Sequence, residues 1–257
     1  MATTTTGLIL TYNGEATLKQ CIESLHFCDS VVVIDSFSTD KTVAIAENLG
    51  ATVIQNAWNG PAAQFTFAFS QINADWVVSL DQDEVCTSSL KAKIVEAIAN
   101  APQDTAGYYT KRKSWYYNRF MKHSGWYPDW LLRVFRPEKL EVKVSGAHYS
   151  FHPKGKTEKL DAEILHYPYM SFSQHLQKID SYAQQGADDL HAKGKKGGLG
   201  KGITHGTMRF IKLYFIKLGF LDGKAGFINA IHGAFYAFLK YVRVSEGNWG
   251  APFDADN

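Results

Sequence analysis

The 257 residues are 45% hydrophobic, 14% aromatic and 20% charged, a globular composition that excludes a disordered or fibrous chain. A formal charge of +2 argues against a strongly basic nucleic-acid binder, so no nucleic-acid partner is expected. No run of about eighteen apolar residues is present, and Met1–Thr6 has neither a basic nor an apolar leader region. With three cysteines and no CxxC pair, the reading is a cytoplasmic protein, soluble or peripheral on a membrane.

The first hundred residues alternate strand and helix signals. Gly7–Thr11 predicts a short strand and Ala16–Leu25 a helix. Val31–Ile34 is apolar at every position and closes on Asp35, as a buried parallel strand does. Asp40–Asn48 reads as a helix ending at Gly50, Thr52–Ile54 as a third strand, and Ala62–Ser70 as the next helix. Trp76–Leu80 is a fourth strand, followed by Asp81-Gln82-Asp83-Glu84 and a helix over Ser88–Ala99. Repeated βα units imply a mostly parallel sheet flanked by helices. Ligands in such sheets sit beyond the carboxyl ends of the strands, where Thr11, Asp35 and Asp81–Asp83 fall.

Three carboxylates in four residues repel one another unless a cation or solvent compensates. Mg²⁺ favours one or two carboxylates plus phosphate oxygens, so the Asp81–Glu84 loop suits a metal–diphosphate site. The plain alternative is an acidic turn leading into the helix at Ser88. Asp35 can accept from a ribose hydroxyl or a base N–H, while Thr39 or Asp40 caps the following helix.

From Gly107 to Leu165 the pattern turns to short β-like runs rich in aromatics. Trp115, Tyr116, Tyr117, Trp126, Tyr127 and Trp130 lie within sixteen residues, flanked by Lys111, Arg112, Lys113, Arg119 and Lys122. Aromatic faces stack on sugar C–H faces, so the group suits an acceptor groove for an anionic saccharide; ordinary core packing is the alternative for any single ring. Asp129 follows Pro128 among these rings; a salt bridge to Arg133 or a helix cap is its structural alternative. Helix returns over Ser173–Leu190, Met208–Leu221 and Ala225–Val242. Between Ala192 and Arg243 stand ten basic residues and one acid, Asp222, so a basic C-terminal extension follows an acidic body. Gly194–Gly202 reads as a flexible linker. Arg209, Lys212 and Lys217 share about a 140° arc at 100° per residue, beside Phe210, Ile211, Leu213, Tyr214 and Leu218. Such a stretch either lies on an anionic membrane surface or packs on the body with snorkelling lysines.

Leu8-Ile-Leu-Thr-Tyr-Asn13, Val32-Val-Ile-Asp-Ser-Phe-Ser-Thr-Asp40 and Asp75-Trp-Val-Val-Ser-Leu-Asp-Gln-Asp-Glu84 resemble the nucleotide-binding half of family 2 glycosyltransferases. Gly125-Trp-Tyr-Pro-Asp-Trp-Leu-Leu-Arg-Val-Phe-Arg136, Ile164-Leu-His-Tyr167 and Gly219-Phe-Leu-Asp-Gly223 are similar to the lipopolysaccharide-core glucosyltransferase branch. The resemblance implies a GT-A fold, an inverting mechanism, a UDP-sugar donor, a divalent metal (Mg²⁺ or Mn²⁺) and a lipopolysaccharide-core acceptor. It implies a catalytic domain over 1–190, its nucleotide-sugar half 1–100 and its acceptor half 101–190. Residues 191–257 form a basic linker and C-terminal helical region. Carried over by position, Asp35 and Thr11 contact the uridine, Asp81 the ribose or sugar, and Trp126 and Arg133 the substrate. Asp83 holds the metal with His166, and Asp129 is the general base. One departure concerns the donor sugar: relatives often follow Gln64 with a basic residue and Asn, where this chain has Phe65 and Thr66. A nucleotidyltransferase is the enzymatic rival, but Thr11–Gly14 is a poor Gly-rich phosphate loop; a non-catalytic saccharide- or lipid-binding protein is the other.

Overall fold

Strands that are apolar on both faces have to be covered on both, and the fold is organised around that requirement. The computed structural model describes residues 3–145 and 148–245. Two compact units share the chain: Met1–Ser114 with Pro128–Tyr167, and Trp115–Tyr127 with Pro168–Asn257.

In the first unit, strands and helices alternate as β1 (Thr5–Thr11), α1 (Leu18–Ser24), β2 (Ser30–Asp35), α2 (Thr42–Asn48), β3 (Thr52–Gln55), α3 (Pro61–Gln71) and β4 (Trp76–Asp81). A short β5 (Glu84–Cys86) leads into α4 (Ser88–Ala99), whose first turn is capped by Thr87 accepting from the Leu90 N–H. Long strands follow: β6 (Thr105–Tyr116), β8 (Asp129–Phe135) and β11 (Lys156–His166), with β9 (Leu140–Ser145) and β10 (His148–Pro153) forming a separate antiparallel pair. The main sheet runs β3-β2-β1-β4-β8-β6-β11-β5. Strands β1 to β4 are parallel, whereas β8 runs antiparallel to both of its neighbours. One face is covered by Leu18, Ile22, Ala46, Leu90 and Ile94 from α1, α2 and α4. Phe65 and Ala68 of α3 cover the other. This is the α/β, mostly parallel, helix-flanked GT-A-type architecture expected from the sequence. The three cysteines are buried and free.

The second unit contains β7 (Arg119–Phe120), paired with the last residues of β6, and the helices α5 (Phe172–Ala192), α6 (Leu199–Ile211) and α7 (Gly223–Arg243). Gly194–Gly202 does not form the flexible linker that its composition suggests. Leu199 already begins α6, and the Gly198 N–H donates to the Tyr241 carbonyl at 2.8 Å. A Cβ on Gly197 would lie 2.2 Å from that carbonyl, and one on Gly206 would lie 3.1 Å from the Ala234 carbonyl. Glycine here lets two helices approach closely. The helix expected over 208–221 therefore starts earlier and ends earlier: a π-helical turn (Lys212–Ile216) and a 3₁₀ turn (Gly219–Asp222) reverse the chain, with Leu218 in the left-handed region at φ 55°. Among the described residues no helix is long and apolar enough to cross a membrane.

Candidate active site

Parallel pairing brings the candidate residues to one end of the sheet. Thr11 is in register with Asp35, and Leu10 with Asp81. Beyond these strand ends lies a cleft of roughly 300 Å³, lined by Thr11, Tyr12, Ser36, Trp58, Asp81 and Gln82 among others. Its floor is stitched together by Gln82. That side chain accepts from the Thr11 hydroxyl at 2.5 Å and the Tyr12 N–H at 3.0 Å, and it donates to the Tyr12 carbonyl. A Cβ on Gly14 would sit 2.7 Å from the same Gln82 oxygen, which explains the glycine. Asp35 is fully buried; its carboxylate accepts from the Ser38 N–H at 3.0 Å, the Ser38 hydroxyl at 2.5 Å and Gln55 at 3.2 Å.

An arginine–carboxylate cluster flanks the acidic loop. Arg133, expected at the substrate, is 5% exposed, and its guanidinium lies on Asp81 (2.6 Å) and Glu84 (2.7 Å). Glu84 is wholly buried. Burial would raise the Asp81 carboxyl, but the Arg133 charge and hydrogen bond outweigh it and hold it below the ordinary carboxylate range. Glu84 goes the other way: burial, with the Asp81 charge added, pushes its carboxyl up despite Arg133. The two carboxylates together outweigh burial at Arg133 and keep it protonated.

Asp129 opens β8 rather than capping a helix, and its partner is Arg112, not Arg133. The two are cross-strand neighbours on β6 and β8. Arg112 Nε and Nη2 both donate to Asp129 Oδ2, at 3.0 and 2.8 Å. The same guanidinium lies 3.4 Å from Glu84 and 3.9 Å from Asp81. Asp129 is thus tied through one side chain to the loop that follows β4.

His166 and Asp83 meet through the pairing of β11 with β5. His166 is in register with Glu84, and the Tyr167 N–H donates to the Asp83 carbonyl at 2.8 Å. The His166 Nε2 lies 3.6 Å from Asp83 Oδ2, while Nδ1 is 2.8 Å from the Ser114 hydroxyl. With Nδ1 protonated and donating to Ser114, the Nε2 lone pair faces Asp83, the orientation a metal-binding imidazole needs. No trio of His, Cys, Asp or Glu able to hold a metal occurs among the described residues. A Mg²⁺ or Mn²⁺ ion bound by Asp83 and His166 would complete its shell with diphosphate oxygens and water, which suits such an ion. Four carboxylates (Asp81, Asp83, Glu84, Asp129) stand against two guanidiniums, so added positive charge is accommodated.

The six aromatics are divided between the two units. Trp130 lies in the first unit, with the Lys111 and Lys159 ammonium groups 5.8 and 4.7 Å from its ring centre. The other five belong to the second unit, where Tyr116 is core and Trp126, half-buried, packs on it at 5.2 Å. Alternating strand faces and a chain that leaves the sheet at Trp115 separate residues that are close in sequence. Sequence reasoning gave no individual role to Arg112, which it named only among the basic residues flanking the aromatics, nor to Glu84 and Gln82 of the acidic string, nor to Trp58. The DQDE string signalled two of the four and the basic flank a third, but neither predicted their pairing.

Residues 8–160 match the family model for Glycosyl transferase family 2. Among curated proteins, an uncharacterized glycosyltransferase of Rickettsia typhi, RT0209, is 31% identical over 250 residues, covering 93% of this chain and 85% of its own. The lipopolysaccharide core biosynthesis glycosyltransferase LpsC of Rhizobium meliloti is 29% identical over 248 residues, covering 92% and 90%. Among solved structures, glucosyl-3-phosphoglycerate synthase from Mycobacterium tuberculosis, in complex with Mn²⁺, UDP and glucosyl-3-phosphoglycerate, overlaps 44% of each chain at 21% identity and a TM-score of 0.37.

Proposed function

The chain belongs to glycosyl transferase family 2, and from that premise we propose an inverting, metal-dependent hexosyltransferase that moves glucose from UDP-glucose onto an inner-core saccharide of lipopolysaccharide. The acceptor is supported by likeness to LpsC along nearly the whole of both chains. Such an acceptor is carried on lipid, so the reaction belongs at the cytoplasmic face of a membrane. The observation that carries the mechanism is the Arg112 bridge, 2.8 Å from Asp129 and 3.4 Å from Glu84.

UDP-glucose would occupy the cleft at the ends of β1, β2 and β4, with the uridine toward Asp35 and Thr11 and the sugar toward Asp81. A uracil or ribose group would share Asp35 with Ser38 and Gln55. Asp83 and His166 would hold the divalent cation, whose charge offsets that of the departing diphosphate. Both Arg112 bonds to Asp129 fall on Oδ2, which leaves Oδ1 for the acceptor hydroxyl. Asp129 takes the hydroxyl proton as that oxygen bonds to the anomeric carbon, opposite the leaving group. The bond from that carbon to the diphosphate oxygen breaks, and its electron pair leaves with UDP. Trp126, in the second unit, is a candidate for stacking on a sugar ring. Arg133 works as a positioning residue that fixes Asp81.

Asp129→Asn tests this reading. It keeps the shape and an oxygen for Arg112 but cannot take the proton, so transfer falls by about 10²–10⁴-fold while UDP-glucose binding is unchanged. Near-normal turnover, or donor binding lost in parallel, removes Asp129 from the role.

A further inference from the structure

The second unit leaves an apolar surface in water at the turn between α6 and α7. Phe215, Ile216 and Phe220 are 55%, 66% and 45% exposed. They do not stand singly: the rings of Phe210, Tyr214, Phe215, Phe220 and Phe227 form one connected set, with neighbouring centroids 5.1–6.3 Å apart. A contiguous aromatic patch of this kind marks an interaction surface. The exposed charged side chains of this segment are of one sign. Arg209, Lys212, Lys217 and Lys224 are exposed and come from the same turn and its flanking helices. Between Lys193 and Arg243 the only acid is Asp222. That carboxylate is buried, accepting from the Lys122 and His123 N–H groups, with Arg119 at 3.7 Å. The segment therefore shows water its positive charges and no negative one.

We propose that this turn docks on an anionic lipid surface. The aromatic residues enter the boundary between headgroups and acyl chains, and the four basic side chains meet lipid phosphates. The chemistry is that of an interfacial anchor, with apolar residues at the tip and lysines and arginine at headgroup height. A second copy of the chain fits less well, because a two-fold contact would set the same cationic rim against itself. Binding in this way needs neither donor nor acceptor, so it stands or falls separately from the transfer reaction.

The test uses the full chain and vesicles free of lipopolysaccharide, either pure phosphatidylcholine or phosphatidylcholine with about a quarter phosphatidylglycerol. Co-sedimentation is expected with the anionic vesicles only, weakening at least about tenfold between roughly 0.1 and 0.5 M salt as the screening length shrinks. F215S/I216S and K212E/K217E should each lose at least about tenfold in vesicle affinity, with UDP-glucose binding unchanged as the control for folding. Equal binding to neutral vesicles, no binding at low salt, or wild-type binding by either variant would overturn the proposal. So would a salt-sensitive dimer that F215S/I216S dissolves in a protein with no affinity for vesicles.

Discussion

Replacing Arg133 by Met isolates the electrostatics of the acidic loop. Methionine approximates the aliphatic stem, so the main loss is the guanidinium that lies 2.6 Å from Asp81 and 2.7 Å from Glu84. The two carboxylates do not count equally. Asp81 is 44% exposed in its side chain and can be rehydrated, whereas Glu84 is wholly buried and keeps the Arg112 guanidinium at 3.4 Å and the Asp81 N–H at 3.0 Å. Removing one partner of a buried pair costs about 3–5 kcal/mol, chiefly through the charge left behind. For a chain of this size that is a fall of about 6–20 °C in the unfolding midpoint. The cost depends on pH. Without Arg133 the Glu84 carboxyl, already raised by burial, rises further in the folded state and keeps its ordinary value in the unfolded chain. The folded state then binds the extra proton, so stability falls as pH rises through that window. The deficit of Arg133→Met relative to wild type should therefore be smaller near about pH 5 than near about pH 8. Adding Glu84→Gln, which removes the stranded charge, should restore most of the loss and abolish its pH dependence. Urea unfolding of the two variants and wild type at both pH values measures all of this. A loss below about 1 kcal/mol, or a double variant no better than the single, would refute the reasoning.

Two further outcomes concern the second unit. The Tyr116 hydroxyl and the Nδ1 atoms of His175 and His232 lie within 3.0 Å of one another, and burial, with His232 and Lys178 nearby, pushes His175 down to about 4. A lowered histidine gives stability that is lost as pH falls from its unfolded value near 6.5 toward 4, so thermal melts of wild type should lose stability across that window and melts of His175→Gln should lose less; parallel curves would rule the histidine out. Gly226→Ala would set a Cβ 1.8 Å from the Gly219 carbonyl and should cost about 1–3 kcal/mol or more, whereas Gly200→Ala meets open space in α6 and should gain about 0.5–1 kcal/mol; the reverse order in denaturant melts would contradict the packing described.

The parallel half of the fold was legible because its signals are local. Val31–Ile34 is uniformly apolar, Trp76–Leu80 is apolar but for Ser79, and Ser88–Ala99 carries its own cap at Thr87. Arg112 and Arg133 were not legible as a pair. Their roles arise from the antiparallel insertion of β8 beside β4 and β6, a long-range register that no spacing within the sequence encodes. His166 lay close to Asp83 for the same kind of reason, through β11 pairing with β5, and only the family resemblance brought it forward. The Gly194–Gly202 stretch misled because glycine serves both flexibility and close approach, and composition does not separate the two. The aromatic stretch was legible as a group but not ring by ring, because nearness in sequence does not say which face, or which unit, receives each one.

UDP release from UDP-glucose in the presence of a lipopolysaccharide-core acceptor, for wild type and Asp83→Ala, with Mn²⁺ or with chelator, is the decisive measurement of metal-dependent transfer. Wild type should release UDP only when acceptor and metal are both present, recovering when Mn²⁺ or Mg²⁺ is returned, and Asp83→Ala should release none. Full activity of Asp83→Ala in chelator, or wild type that leaves UDP-glucose intact with every component supplied, would contradict the account.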